Sequence, residues 1–92
     1  MSTYILFGQY SPESIKEIGA ERTQKATQVI ADSGGSVEAG YALLGDVDLL
    51  IVADFPSNTQ AMKASLGLAR LLGIGFTTSP ALSMEEFDKL AG

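Results

Sequence analysis

The chain has 92 residues with 46% hydrophobic and only 18% charged, six Lys and Arg against eleven Asp and Glu, for a net charge of −5. It contains no Cys and no His, which excludes disulfides, thiolate nucleophiles, Cys- or His-ligated metal and haem sites, and imidazole-based triads. The acidic balance is the wrong sign for tracking a phosphate backbone, so no nucleic-acid partner is expected.

At 9.6 kDa and a mean hydropathy of +0.19, residues 1–92 are read as one folded domain. A domain this small buries only about 60–70% of its unfolded surface, so an apolar-rich, charge-poor chain is expected to cover part of the remainder against another copy. Residues 1–10 carry no basic n-region. The longest aliphatic run, residues 49–53, falls far short of the roughly 20 residues that span a bilayer, so a cytoplasmic protein without a membrane partner is expected.

In chain order, residues 3–10 read as a first strand, rich in aromatic and β-branched residues and apolar at both parities. Ser11, Pro12 and Glu13 supply an N-cap, a Pro at the first helical position and an acid in the first turn. Ile15, Ile18, Arg22, Ala26, Val29 and Ile30 then recur at helical spacing to a stop at Ser33-Gly34-Gly35. Gly19 interrupts that helix, at a cost of about 1 kcal/mol relative to Ala, and predicts a kink or break. Residues 37–43 alternate as a second strand, and 49–53 form a buried third; Gly45-Asp46 makes a two-residue hairpin turn between them. Ser57 with Gln60 forms a capping box for a helix with Ala61, Ala64, Leu68, Leu71 and Leu72 on its apolar face, stopped by Gly73. A fourth strand over 74–82 contains Pro80, which restricts it to an edge or to the strand's end, and a second capping box, Ser83 to Glu86, opens a short terminal helix.

The order βαββαβ plus a helix predicts an α+β, ferredoxin-like sandwich: a four-stranded antiparallel sheet of order 4-1-3-2 with two long helices on one face. With strands one and three set parallel, parity places Tyr4, Leu6, Tyr10, Ala39, Tyr41, Leu43, Leu50 and Val52 on the open face. Ile5, Phe7, Gly40, Ala42, Leu49, Ile51 and Ala53 go to the helix side. So apolar an open face calls for a partner sheet.

The segment Thr3-Tyr4-Ile5 through Gly8-Gln9-Tyr10, the Ile15-Lys16 pair, Ser33-Gly34-Gly35, the hairpin Leu44-Gly45-Asp46-Val47-Asp48-Leu49 and the terminal Ser83-Met84-Glu85-Glu86-Phe87 resemble the GYD domain family of small bacterial and archaeal proteins, essentially end to end. Members usually carry a Tyr before the motif Asp, where this chain has Val47. The resemblance implies a fold of the dimeric α/β barrel type and self-association, and leaves the activity open.

Candidate site residues follow from the same reading. Asp46 and Asp48 could serve a cation or act as a base, but two carboxylates are too few for an all-protein Ca²⁺ site, and turn chemistry explains them; no metal and no cofactor are expected. Asp48, at the start of a buried strand, needs a backbone N–H, cation or hydroxyl partner. Lys16 and Arg22 could converge on one anion if the helix breaks at Gly19, or form solvated surface pairs with nearby acids. Tyr4, Tyr10 and Tyr41 could line a pocket for a planar ligand or form an interface. The favoured function is a non-catalytic, self-associating module for small-molecule binding or assembly through the open face, with Tyr4, Tyr10, Lys16, Arg22, Tyr41 and Asp48 as ligand-binding residues. The alternative is a cofactor-independent enzyme using Tyr and Asp48 in an inter-sheet cavity.

Overall fold

A computed structural model describes residues 1–92 as four strands and four helices: β1 Ser2–Gly8, α1 Pro12–Ile15, α2 Ala20–Asp32, β2 Ser36–Ala42, β3 Leu49–Phe55, α3 Asn58–Leu72, β4 Phe76–Ala81 and α4 Met84–Ala91. The strands form one antiparallel sheet of order β2-β3-β1-β4, which counted from the β4 edge is 4-1-3-2. No helix is long and apolar enough to cross a membrane.

Local signals act where the sequence carries them. Ser11 accepts a hydrogen bond from the Ser14 N–H at 3.1 Å and starts α1, and Gly19 sits in the break before α2 without supplying a side-chain cap. The break leaves Ile15 at the end of α1 and Ile18 in the connection exposed, while Ala26, Val29 and Ile30 farther along α2 pack on the core. Gly73 ends α3 at φ +71, a left-handed conformation that glycine adopts without strain. Ser83 caps α4 through the Glu86 N–H at 3.1 Å. The Ser57 hydroxyl instead bonds the Gln60 side chain and caps no backbone N–H, so the expected capping box does not form there.

The core is a cluster of Tyr4, Leu6, Ile30, Ile51, Ala53, Phe55, Ala61, Ala64 and Leu68 between the sheet and the two long helices. A Cβ on Gly67 would lie 2.8 Å from Val29 Cγ1, so the missing side chain sets how closely α3 approaches α2. Ser65 and Thr78 share a hydrogen bond of 2.5 Å that ties α3 to β4.

Two parts of the parity assignment need correction. Strands β1 and β3 run antiparallel, in the register Tyr4↔Ala53, Leu6↔Ile51, Gly8↔Leu49. Tyr4 and Leu6 therefore face the helices, and Ile5 and Phe7 face outward, the reverse of the expectation for β1. The physical reason is that β1 is apolar on both faces, so its alternation carries no phase. What decides the phase is the Tyr4 hydroxyl, which donates to Asn58 Oδ1 at the start of α3, and the Tyr4 ring, which meets Phe55 edge-on at 5.7 Å.

For β2 and β3 the assignment holds. The open face carries the row Tyr41–Leu50–Phe7–Thr77 and beside it Ala39–Val52–Ile5–Ser79. The hairpin connection is longer than a two-residue turn, yet Leu43 N–H still donates to Asp48 O at 2.9 Å and the pairs Tyr41↔Leu50 and Ala39↔Val52 form. A bulge between Val37 and Ala39 then shifts the register by one residue.

Candidate functional site

Small side chains on facing elements leave space between them. Along the helix side of β2 lie Gly40 and Ala42; opposite, α2 presents Thr23, Ala26 and Thr27. Between them is a cavity of about 430 Å³, floored by Leu49 and Ile51 and walled by Ile30, Val37 and Leu72. That volume falls within the range of natural small-ligand sites, roughly 300–1,000 Å³. Gly19 in the break before α2 lines the cavity too, as do Arg22 and Tyr10, which arrives from the exit of β1 and packs on Arg22.

Arg22 is the one charged residue in the lining. It is also the only one of the six Lys and Arg side chains that is not exposed. Two contacts hold its guanidinium: Nη1 donates to the Ser14 carbonyl at 2.7 Å, and the Tyr10 ring lies 5.3 Å below it in a cation–π arrangement. The hydroxyls of Thr23 and Thr27 donate back to their own helix, to Gly19 O at 3.2 Å and Thr23 O at 3.0 Å. They therefore offer the cavity acceptor lone pairs only.

The expected site residues separate accordingly. Tyr10, Arg22 and Tyr41 all belong to the cavity lining, although the Tyr41↔Leu50 register turns the Tyr41 side chain toward the open face. Tyr4 is only 5% exposed and belongs to the core. Lys16 ends α1 in solvent and lines neither this cavity nor the groove beside it, both of which Arg22 lines, so the expected convergence on one site is not seen in either. Asp48 does not line the cavity; its Oδ2 accepts the Tyr10 N–H at 2.8 Å and its own N–H donates to Gly8 O at 2.9 Å. Gln9 adds a bond to Asp46 O, so the hairpin is stitched to the end of β1 at three points. The partner that Asp48 needed is thus a backbone N–H of the β1 exit.

A second arrangement lies at the rim of the open face. The β2 bulge brings Glu38 beside Asp54, whose Oδ1 accepts the Thr3 hydroxyl at 2.7 Å. The hydrogen bond to Asp54, then the Asp54 charge, raise the Glu38 carboxyl above its ordinary 4.5. The Thr3 hydroxyl first, and then the Glu38 side chain, hold Asp54 below its ordinary 3.8. The two carboxyls therefore titrate as an interacting pair, their affinities for protons pushed apart. Spacing alone could not have found it, because the bulge makes the pairing.

Comparison with curated proteins found no match. A family model, the GYD domain, matches residues 4–91, from the first core tyrosine to the last residue of α4. With most of β1, the stitched hairpin and the terminal helix inside that match, the chain belongs to the GYD domain family.

Proposed function

We propose that this protein is a non-catalytic binding module that self-associates through its open sheet face, in the manner of dimeric α/β barrels, and holds a small molecule between α2 and the sheet. The observation that carries the reading is the apolar cavity of about 430 Å³ with a single restrained cation in its wall. On this reading the binding space lies on the helix side of the sheet rather than at the open face. Self-association is supported by the outward rows of Ile5, Phe7, Leu50, Val52 and Tyr41, with further apolar surface on α4, where Phe87 and Leu90 are 52% and 74% exposed. Asp48, the carboxylate of the enzyme alternative, accepts the Tyr10 N–H and is not part of this cavity, so the binding reading does not draw on it.

The test is fluorescence titration with Nile red, a neutral apolar dye. A Cβ on Gly40 meets nothing within 4 Å, so Gly40→Leu fills the cavity without a clash at the backbone. Wild type should show saturable binding, Gly40→Leu should lose it, and the open-face variant Leu50→Asp should keep it. Binding that survives Gly40→Leu and disappears in Leu50→Asp would place the ligand space between sheets and overturn the assignment.

A further inference from the structure

We infer that the ligand of this cavity is a small monocarboxylic acid with a compact apolar or aromatic body, its carboxylate held by Arg22. The inference rests on the cavity being a binding site and adds the chemical class of what it binds. Three observations carry it.

The first is the sign of the site. The protein has a net charge of −5, yet no Asp or Glu lines this cavity and its one ionised side chain is a cation. The shallower groove on the other side of Arg22, about 390 Å³, is lined by Glu17, Glu21 and Lys25, so an anion meets less repulsion on the apolar side. The second is the state of Arg22. The chain's two ion pairs are Lys25–Glu21 and Lys89–Glu85, and Arg22 takes part in neither. Its carbonyl bond and ring contact use one N–H and one face of the guanidinium, which orients the group and leaves the rest of the donor fork free of protein acceptors. A planar fork held in place matches a carboxylate with two parallel hydrogen bonds. The third is the count of charges. One Arg and no Lys line the cavity, which balances a single negative charge and leaves a phosphate dianion only half-compensated. Ten of the fifteen lining residues are hydrophobic, and the only neutral side-chain hydroxyls beside the tyrosines are those of Thr23 and Thr27, whose protons are given to their own helix, so the surface suits a hydrocarbon body better than a sugar or nucleotide.

The experiment is isothermal titration calorimetry of the whole chain with three probes that share one ring system: 2-naphthylacetate, 2-naphthylacetamide and 2-(2-naphthyl)ethylamine. Wild type should bind the acid about tenfold or more tightly than the amide, as expected for hydrogen bonds to an ionised partner, and bind the amine most weakly. Arg22→Gln should bring the acid down to the level of the amide while the amide changes less than twofold. Arg22→Lys, which keeps the charge and loses the fork, should retain only part of the preference, and circular dichroism should show both variants folded. Gly40→Leu should abolish binding of all three. If wild type binds the amide as tightly as the acid, or the amine tightest, the carboxylate assignment is wrong while the cavity remains a binding site. That comparison needs no variant. If none of the probes binds, or if Gly40→Leu leaves binding intact, the cavity reading fails and the ligand class fails with it.

Discussion

Asp48 and Tyr10, 38 positions apart, are joined by a 2.8 Å hydrogen bond from the Tyr10 N–H to Asp48 Oδ2. The contact fixes the β2–β3 hairpin to the exit of β1, and from that exit Tyr10 reaches Arg22. A residue that looks catalytic in sequence is therefore a brace for the segment that carries one wall of the cavity. Asp48→Asn keeps the shape and loses the charge assistance, so it should lower stability by about 1 kcal/mol in chemical denaturation. Affinity for 2-naphthylacetate should change less than twofold; a tenfold loss with stability intact would show that the carboxylate itself touches ligand.

The proposed self-association rests on the outward rows of the sheet, where a single charge should disrupt it. Leu50 stands between Tyr41 and Phe7 on the open face. Light scattering should show wild type as a dimer or a multiple of dimers at micromolar concentration. Leu50→Asp should be a folded monomer of 9.6 kDa, because its side chain leaves the helix-covered core untouched. A monomeric wild type would refute self-association.

The corrected phase of β1 has its own test. Tyr4→Phe removes the hydroxyl bonded to Asn58 and keeps the ring against Phe55, and should cost about 1 kcal/mol of stability. Probe affinity should stay within twofold of wild type. A large loss of affinity with no loss of stability would put Tyr4 in the ligand site.

The Glu38–Asp54 pair makes a pH dependence with opposite signs at its two members. Glu38, raised above 4.5, contributes stability that is present at low pH and is lost as pH rises through its folded value. Asp54, held below 3.8, contributes stability that is present above 3.8 and is lost as pH falls through its folded value. Glu38→Gln keeps a neutral side chain beside Asp54 at every pH. It should raise the melting temperature relative to wild type at pH 7, and the gain should shrink toward pH 4.5. A gain that grows on acidification would contradict the assignment.

Much of the frame was legible because its signals are local. Gly19, Gly73, Ser11 and Ser83 act within a turn of where they stand, and the hairpin pairs 41↔50 and 39↔52 form although the turn is longer than a two-residue one. The phase of β1 was not legible, because Tyr4 and Leu6 on one side and Ile5 and Phe7 on the other are equally apolar. The cavity depends on which small residues face each other across two elements. Gly40 and Ala42 opposite Ala26 and Thr27 were visible as small residues, but only the docking of α2 on β2 makes them a space. Arg22 was singled out for convergence with Lys16, and its actual partners, the Ser14 carbonyl and the Tyr10 ring, come from the way the chain doubles back after β1.

A small molecule between α2 and the sheet would touch the methyl groups of one side of the sheet and none of the other. Methyl-resolved NMR during titration with 2-naphthylacetate tests that placement most directly, since the two sides of the sheet carry different methyl groups. Shifts should concentrate at Ile30, Val37, Leu49, Ile51 and Leu72, with Ile5, Leu50 and Val52 nearly unmoved. Shifts concentrated at Ile5, Leu50 and Val52, with the cavity methyls unmoved, would contradict it.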